Sequence, residues 1–411
     1  MWFRSLLILS LLSSSTGAIA DPLSFNAALT LAERSSADIE AQSAGLEAAR
    51  SAARAAGTLP DPKLAIGVDN LPVTGPERWS VDRDFMTMRK IGVMQDFPSS
   101  SKRRAEAATA NAAVDEADAQ RRVHVFAVRA SAAIAWLNRY YIERRVALFE
   151  ALGRENALFV AAVQSALAGG RGMPADVIGP RQEAADLADR LDVLRADELK
   201  AKASLRRLLG ADADEPLLGD PPVFVIDADH LRSHVHTHPV LALYGPKIAL
   251  ASAQAQEAEA AKKPDWGVEF SYARRAAAYS DMVSLQFTVS LPLFSASRQD
   301  PLISAKHLER RRLEAERTDM LREHTAALEA ELADYAALNN QLTRLQYTRL
   351  PLAHQKVAYQ LASYQGGKAD LTAVLVARRE LIDAQLMQLD LQNRRDAAAA
   401  TIYYSYLEPT P

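Results

Sequence analysis

Four histidines crowd into nine residues of the stretch DADHLRSHVHTHP: His230, His234, His236 and His238, half of the eight in the chain. Neutral imidazoles at such spacing could hold Zn²⁺ or Cu²⁺. The alternative is a solvated linker in which His238-Pro239 opens the next helix. A second charged cluster, Lys102, Arg103 and Arg104, falls in what should be the first turn of a helix, where the macrodipole disfavours cations. Either an anionic surface such as lipid phosphate lies close, or these side chains pair with Glu106 or Asp96. No HExxH helix, nucleophile elbow or phosphate-binding glycine loop is present, and the carboxylates are scattered over polar helix faces. The expectation is a protein without catalytic residues or cofactor.

The elements that would position these residues are preceded by an export signal. MWFR supplies a positive start, LLILSLL an apolar run, and Ala18-Ile19-Ala20 a cleavage site before Asp21, so residues 1–20 read as a secretory signal peptide. The chain has 411 residues, 49% of them hydrophobic, a formal net charge of −3 and no cysteine. That balance gives no electrostatic footprint for nucleic acid. An exported chain without disulfides must be stabilised by packing or assembly. No later stretch reaches the ~18 consecutive apolar residues of a membrane helix, so any crossing must be made by strands.

The same order of elements occurs twice. Ala-rich helical segments, Ser24 to Ala56 and His238 to Lys263, end at LPDP and KKPD, where proline closes the helix and opens a strand. Leu64, Ile66 and Val68 then alternate with Ala65, Gly67 and Asp69; Trp266, Val268, Phe270 and Tyr272 alternate with Gly267, Glu269 and Ser271. Polar loops lead to return strands, MTMRKIGVMQDF and SDMVSLQFTVSLPLF. Long helices follow and end at glycine pairs. Placing Gly170 on Gly367 also places Val177 on Val374, Arg181 on Arg378 and Glu183 on Glu380. The expected organisation is a first repeat over 21–210, a linker over 211–237 and a second repeat over 238–411.

From Pro98 to Gly169 about 70 helical residues would reach ~100 Å. Leu328, Leu332, Tyr335, Leu338, Leu342 and Leu345 step by three and four, the spacing of a coiled coil. Pro180 and Pro351 fall inside helical patterns and should kink or interrupt them.

The second return strand is expected to run eleven residues, with Val283, Leu285, Phe287, Val289 and Leu291 on an apolar face and Ser284, Gln286, Thr288 and Ser290 on a polar one. Strands of ~9–11 residues suit a bilayer crossed at a tilt, with lipid on one side and a lumen on the other. A small soluble β-layer packed on the helices is the alternative. Four strands cannot close a barrel, and open edges are not tolerated in hydrocarbon. Two copies would supply eight staves and three copies twelve; closure alone does not choose.

The doubled helix–strand–strand–helix plan, the LPDP and KKPD entries and the turn from Tyr364 to Leu375 resemble TolC-family outer-membrane efflux proteins over essentially the whole mature chain. The QDFPSSSKRR segment resembles most the cation-efflux, CzcC-like branch, whose members often carry Gly-Gly-Lys-Arg where this chain has Ser100-Ser101-Lys102-Arg103. The resemblance implies a mainly α fold with a small β part: a long α-helical barrel in the periplasm and four transmembrane strands per chain, closed as a homotrimer in outer-membrane lipid. It implies the exit duct of a tripartite pump for heavy-metal cations or small molecules, docked to a periplasmic adaptor and an inner-membrane transporter of the RND type. It assigns adaptor docking to the glycine turns, Gly169, Gly170, Arg171, Gly172 and Gly366, Gly367, Lys368, furthest into the periplasm. Family drug channels close their entrance with aspartates where this chain has Ala373 and Val376, leaving Asp370, one turn earlier, as the candidate gate. A type I protein-secretion duct of the same fold, or a soluble periplasmic coiled-coil protein, would be the other functions.

Overall fold

The computed structural model describes residues 22–170 and 173–406. The signal peptide with its cleavage point before Asp21, and the turn residues Arg171 and Gly172, lie outside the described residues.

The first half runs β1 (Leu23–Ser24), α1 (Phe25–Ser35), α2 (Ala37–Ala55), β2 (Lys63–Asp69), β3 (Met88–Phe97), α3 (Ser100–Ala168), a 3₁₀ turn at Pro174–Val177 and α4 (Ile178–Leu209). Next come β4 (Leu217–Leu218) and α5 (Ala228–His234). The second half repeats the order: α6 (Pro239–Ala260), β5 (Asp265–Arg274), β6 (Met282–Ser290), α7 (Gln299–Arg344), a π-turn at Leu345–Arg349, α8 (Leu350–Gln365) and α9 (Leu371–Tyr406). Ser36 separates α1 from α2 by capping the latter: its hydroxyl accepts from Ile39 N.

The chain forms two compact units, and each draws on both halves of the sequence. The strand-bearing unit takes Ser36–Ser131, Phe224–Arg344 and the chain from Arg394 on. Its four strands form one antiparallel sheet in the order β2-β3-β5-β6, so the two halves meet at β3 and β5. The register aligns Leu64, Val93, Phe270 and Leu285 in one row across the sheet and Ile66, Ile91, Tyr272 and Val283 in the next. The opposite face carries Ala65, Gly92, Ser271 and Ser284 in one row and Lys63, Met94, Glu269 and Gln286 in another. The weak alternation of β3 comes from Arg89 and Gln95, which fall on its apolar face. In the same unit, Leu231 of α5 packs with Leu328 and Leu332 of α7 and with Ile402 and Tyr406 of α9. Leu338 and Leu342 are buried too, as the coiled-coil spacing of α7 requires.

The turn-bearing unit takes the chain up to Ser35, Ala132–Val223 and Leu345–Asn393. Phe149, Leu152, Leu187 and Ile382 form one core cluster, and Val163, Leu371 and Val374 another. β1 lies parallel to β4, and fully buried Trp136 donates its indole N–H to Leu23 O at 3.2 Å while its ring meets Phe25 edge-on.

The structure departs from the sequence reading in the length of β6 and at Pro180. β6 has nine residues, not eleven, and Leu291 lies just beyond it, where Leu293 N turns back to Leu291 O. The 211–237 stretch, expected as a linker, carries β4 and α5. Pro180 sits in the first turn of α4, where its missing N–H costs nothing, and so does not kink a helix. Pro351 follows the π-turn that separates α7 from α8, as an interrupting proline should.

Candidate functional site

Two surfaces stand out, and each is built within one unit. The first is the sheet. Its two apolar rows are bare: exposure in them runs from 40% at Tyr272 to 75% at Ile66, and Phe287 on the same face stands at 68%. The other face of β5 is closed in, with Ser271 and Ala273 at 3% and 6%. Small residues let the central strands approach closely on that polar face. At Gly92 a Cβ would come within 2.9 Å of Ser271 Cβ. Ion pairs cross the polar face, Lys90 to Glu269 and Lys63 to Asp96, each at 2.7 Å. β2 and β6 each pair on one side only, so among the described residues both edges of the sheet are unpaired. Nine residues at ~3.4 Å reach about 30 Å along β6, or about 23 Å of depth at a tilt of about 40°, close to the ~25 Å apolar band of a membrane barrel.

Of the cations in the first turn of α3, Lys102 finds a partner that sequence spacing did not point to. Asp265, at the start of β5, accepts from Ser99 N at 2.9 Å and pairs with Lys102 Nζ at 2.5 Å. A carboxylate from the second half thus satisfies the N-terminus of α3 and offsets the charge the dipole disfavours. Neither Glu106 nor Asp96 is that partner. Only the repeat of Pro-Asp before each strand hinted at Asp265.

The second surface is the pair of glycine turns. Gly170 and Gly367 adopt φ of +72° and +69°, a region that favours glycine. Their hydrogen bonds match as well. Gly169 N donates to Ser165 O and Gly170 N to Leu167 O; Gly366 N donates to Ala362 O and Gly367 N to Tyr364 O, all at 3.0 Å. Every one of these atoms sits 197 positions from its counterpart, the shift that carries Gly170 onto Gly367. Lys368 N also donates to Ser363 O, which closes the second turn. An open groove beside these turns is lined by Met173, Asp176, Tyr364, Gly367, Lys368 and Asp370. Asp370, the candidate gate, is exposed and caps α9 by accepting from Ala373 N at 3.0 Å.

Behind the turns, Arg378 is 9% exposed. It reaches Glu155 of α3 at 2.9 Å and Glu183 of α4 at 3.5 Å, with its guanidinium 4.9 Å from the Phe159 ring. Burial pushes the Glu183 carboxyl up against the downward pull of Arg378.

The histidines are arranged for packing and capping. His230 stacks on His234 with ring centroids 4.1 Å apart, and His234 lies 6.1 Å from His236. His238 turns away: its Nδ1 accepts from Val240 N and so caps α6, while its ring lies 3.9 Å from His324 and 5.1 Å from Tyr406. Burial lowers its pKa to about 4. Among the described residues no group of three or more His, Asp or Glu side chains comes together that could hold a metal ion. No described helix is long and apolar enough to cross a membrane.

No protein-family model and no curated relative matches the sequence. Solved structures do. CusC superposes with a TM-score of 0.75 at 16% identity, over 93% of this chain and 91% of that one. A membrane protein from Pseudomonas aeruginosa gives 0.78 at 15%, over 93% and 90%. The outer membrane protein VceC of Vibrio cholerae gives 0.73 at 20%, over 93% and 95%. The chain has the fold of the TolC-family outer-membrane efflux channels. The solved structures with this fold also include the outer membrane channels OprN, CmeC of Campylobacter jejuni and MtrE of Neisseria gonorrhoeae.

Proposed function

We propose that this protein is the outer-membrane exit duct of a tripartite efflux pump, a passive homotrimeric conduit without chemistry of its own. The observation that carries this reading is the sheet: two unbroken four-residue apolar rows on one bare face, a largely polar opposite face, and two edges unpaired among the described residues. In hydrocarbon, β6 of one copy must meet β2 of the next, because an unpaired strand edge there costs several kcal/mol per group. Three copies then give a twelve-stranded barrel whose lumen is lined by Ala65, Gly67, Ser271, Ser284 and Thr288. The helical remainder lies in the periplasm, and the turns at Gly169-Gly170 and Gly366-Gly367-Lys368 meet the hairpins of an adaptor that couples the duct to an inner-membrane, RND-type transporter. Heavy-metal cations are the cargo assigned here, on the resemblance of the segment from Gln95 to Arg104 to the cation-efflux branch. The cation passes through the lumen; it is cargo and needs no resident site.

Conductance tests the duct directly. Purified protein added to a planar bilayer should give discrete, long-lived current steps, and removing the gene should raise cell-associated metal under metal challenge. Assembled protein that carries no current overturns the duct. Unchanged metal content with loss of a secreted protein would place the chain in type I secretion instead.

A further inference from the structure

The matched halves say what should cover a surface that the single chain leaves open. The two turns share their φ signs and their hydrogen bonds at a shift of 197 positions. At that same shift Ile178 corresponds to Leu375, Arg181 to Arg378 and Glu183 to Glu380. Two second-half members are packed within the chain: Leu375 joins the Val163–Leu371–Val374 cluster, and Arg378 is held by Glu155 and Glu183. Their first-half counterparts, Ile178 and Arg181, are not. Ile178 is 57% exposed, and Arg181 is exposed with no ion-pair or hydrogen-bond partner for its side chain among the described residues. Glu380, the counterpart of Glu183, is half exposed and, among the described residues, bound only to Lys356, at 2.6 Å. Leu352, the counterpart of Glu155, is 57% exposed.

We propose that Arg181 of one copy pairs with Glu380 of the neighbouring copy, repeating between chains the contact that Arg378 makes with Glu183 inside one chain. This rests on the ring reading above and adds to it a residue-level interface. In a ring built from alternating first and second halves, each half should present the same contact to the half beside it. Within the chain the second half reaches the first through Arg378; between chains the first half of one copy must reach the second half of the next through Arg181. Ile178 would then cover the neighbour's α8–α9 surface, with exposed Leu352 taking the position that Glu155 holds in the internal contact. Glu380 would sit between Lys356 of its own chain and the incoming guanidinium, a charge-assisted pair at a partly buried site. The contact is heterologous, since Arg181 of one copy meets a different residue of the next, and only a closed ring satisfies every copy.

The absence of cysteine from the chain makes a clean test possible. Two singly substituted full-length chains, Arg181→Cys with an affinity tag and Glu380→Cys without one, are co-expressed, extracted in detergent and treated with a short bismaleimide. A double variant, Arg378→Cys with Glu183→Cys, serves as the internal control and should cross-link within one chain. The expected result is a tagged band at twice the chain mass from the mixed sample, which neither single variant gives alone. A native mass is recorded for the same sample. An assembled ring with no mixed band, while the internal control reacts, overturns the Arg181–Glu380 contact and leaves the duct reading standing. A sample containing only monomer overturns both. The charge swap Arg181→Glu with Glu380→Arg should restore the detergent-resistant oligomer that Arg181→Glu alone weakens; failure of that rescue also counts against the pair.

Discussion

Gly92 of β3 stands directly opposite Ser271 of β5, so close that a Cβ on the glycine would lie 2.9 Å from the serine Cβ and 3.2 Å from Phe270 O. This is where the two halves of the chain join, and the missing side chain lets the two strands approach closely. Gly92→Ala should therefore cost roughly 1–3 kcal/mol through overpacking. Gly67, whose Cβ would meet nothing within 4 Å, should accept alanine within about 0.5 kcal/mol. Denaturant midpoints of the detergent-solubilised variants measure both. Equal destabilisation at the two positions would remove the close approach as the reason for glycine at 92.

The two faces of β6 should tolerate charge very differently. Phe287→Arg is expected to cost about 2–4 kcal/mol if the side chain faces lipid near the midplane, whereas Gln286→Arg, facing the lumen, should cost little. Fractional assembly in outer-membrane preparations reads the difference. Similar yields of both variants would return β6 to a soluble layer.

His238 sets an acid limit on the strand-bearing unit. Its ring faces His324, Tyr406 and the N-terminus of α6, with Glu323 beside His324 and Glu331 near Tyr406, and burial holds its pKa at about 4 against 6.5 when unfolded. The unfolded chain therefore binds the extra proton first as pH falls. The stabilising effect is complete above about pH 6.5 and is lost progressively towards pH 4, by up to about 3 kcal/mol. His238→Asn keeps a capping side chain at this position and should flatten most of that slope. Melting temperatures from pH 7 to pH 4 test it, and an unchanged slope in the variant would assign the acid response to other groups.

How much of this could be read from residues alone depends on the range of the interaction. Period-two alternation disclosed β2, β5 and β6 because each strand has one face for each solvent, and that pattern is local. The shortening of β6 was not legible: Leu291 keeps the alternation, yet the backbone turns at Leu293, and only chain geometry records that. The partner of Lys102 was missed because Asp265 lies 163 positions away and no periodic signal links them. The histidine cluster misled for the opposite reason, since proximity in sequence put His238 near His230 while packing directed it to His324. Arg378 was visible only as a match to Arg181; that one is buried and the other bare follows from which neighbour each half meets.

The turn at Gly367 should matter for docking more than for folding. Its φ of +69° strains any other residue by about 1–2 kcal/mol, yet a Cβ there meets nothing within 4 Å. Gly367→Ala, which carries the same strain, should keep most metal resistance, while Gly367→Trp should abolish it with the oligomer intact. Minimum inhibitory metal concentrations, set beside the native mass of each variant, separate the two effects. Full resistance with tryptophan at both Gly170 and Gly367 would refute docking at the turns.

The central claim is that the bare sheet edges are closed by other copies in the outer membrane. Native mass spectrometry of the full chain, extracted from outer membranes in mild detergent, tests it most directly. The account predicts one dominant species of three processed chains, each beginning at Asp21, that survives dilution. A folded monomer as the dominant species would contradict it, because the edges of β2 and β6 would then stand unpaired in hydrocarbon.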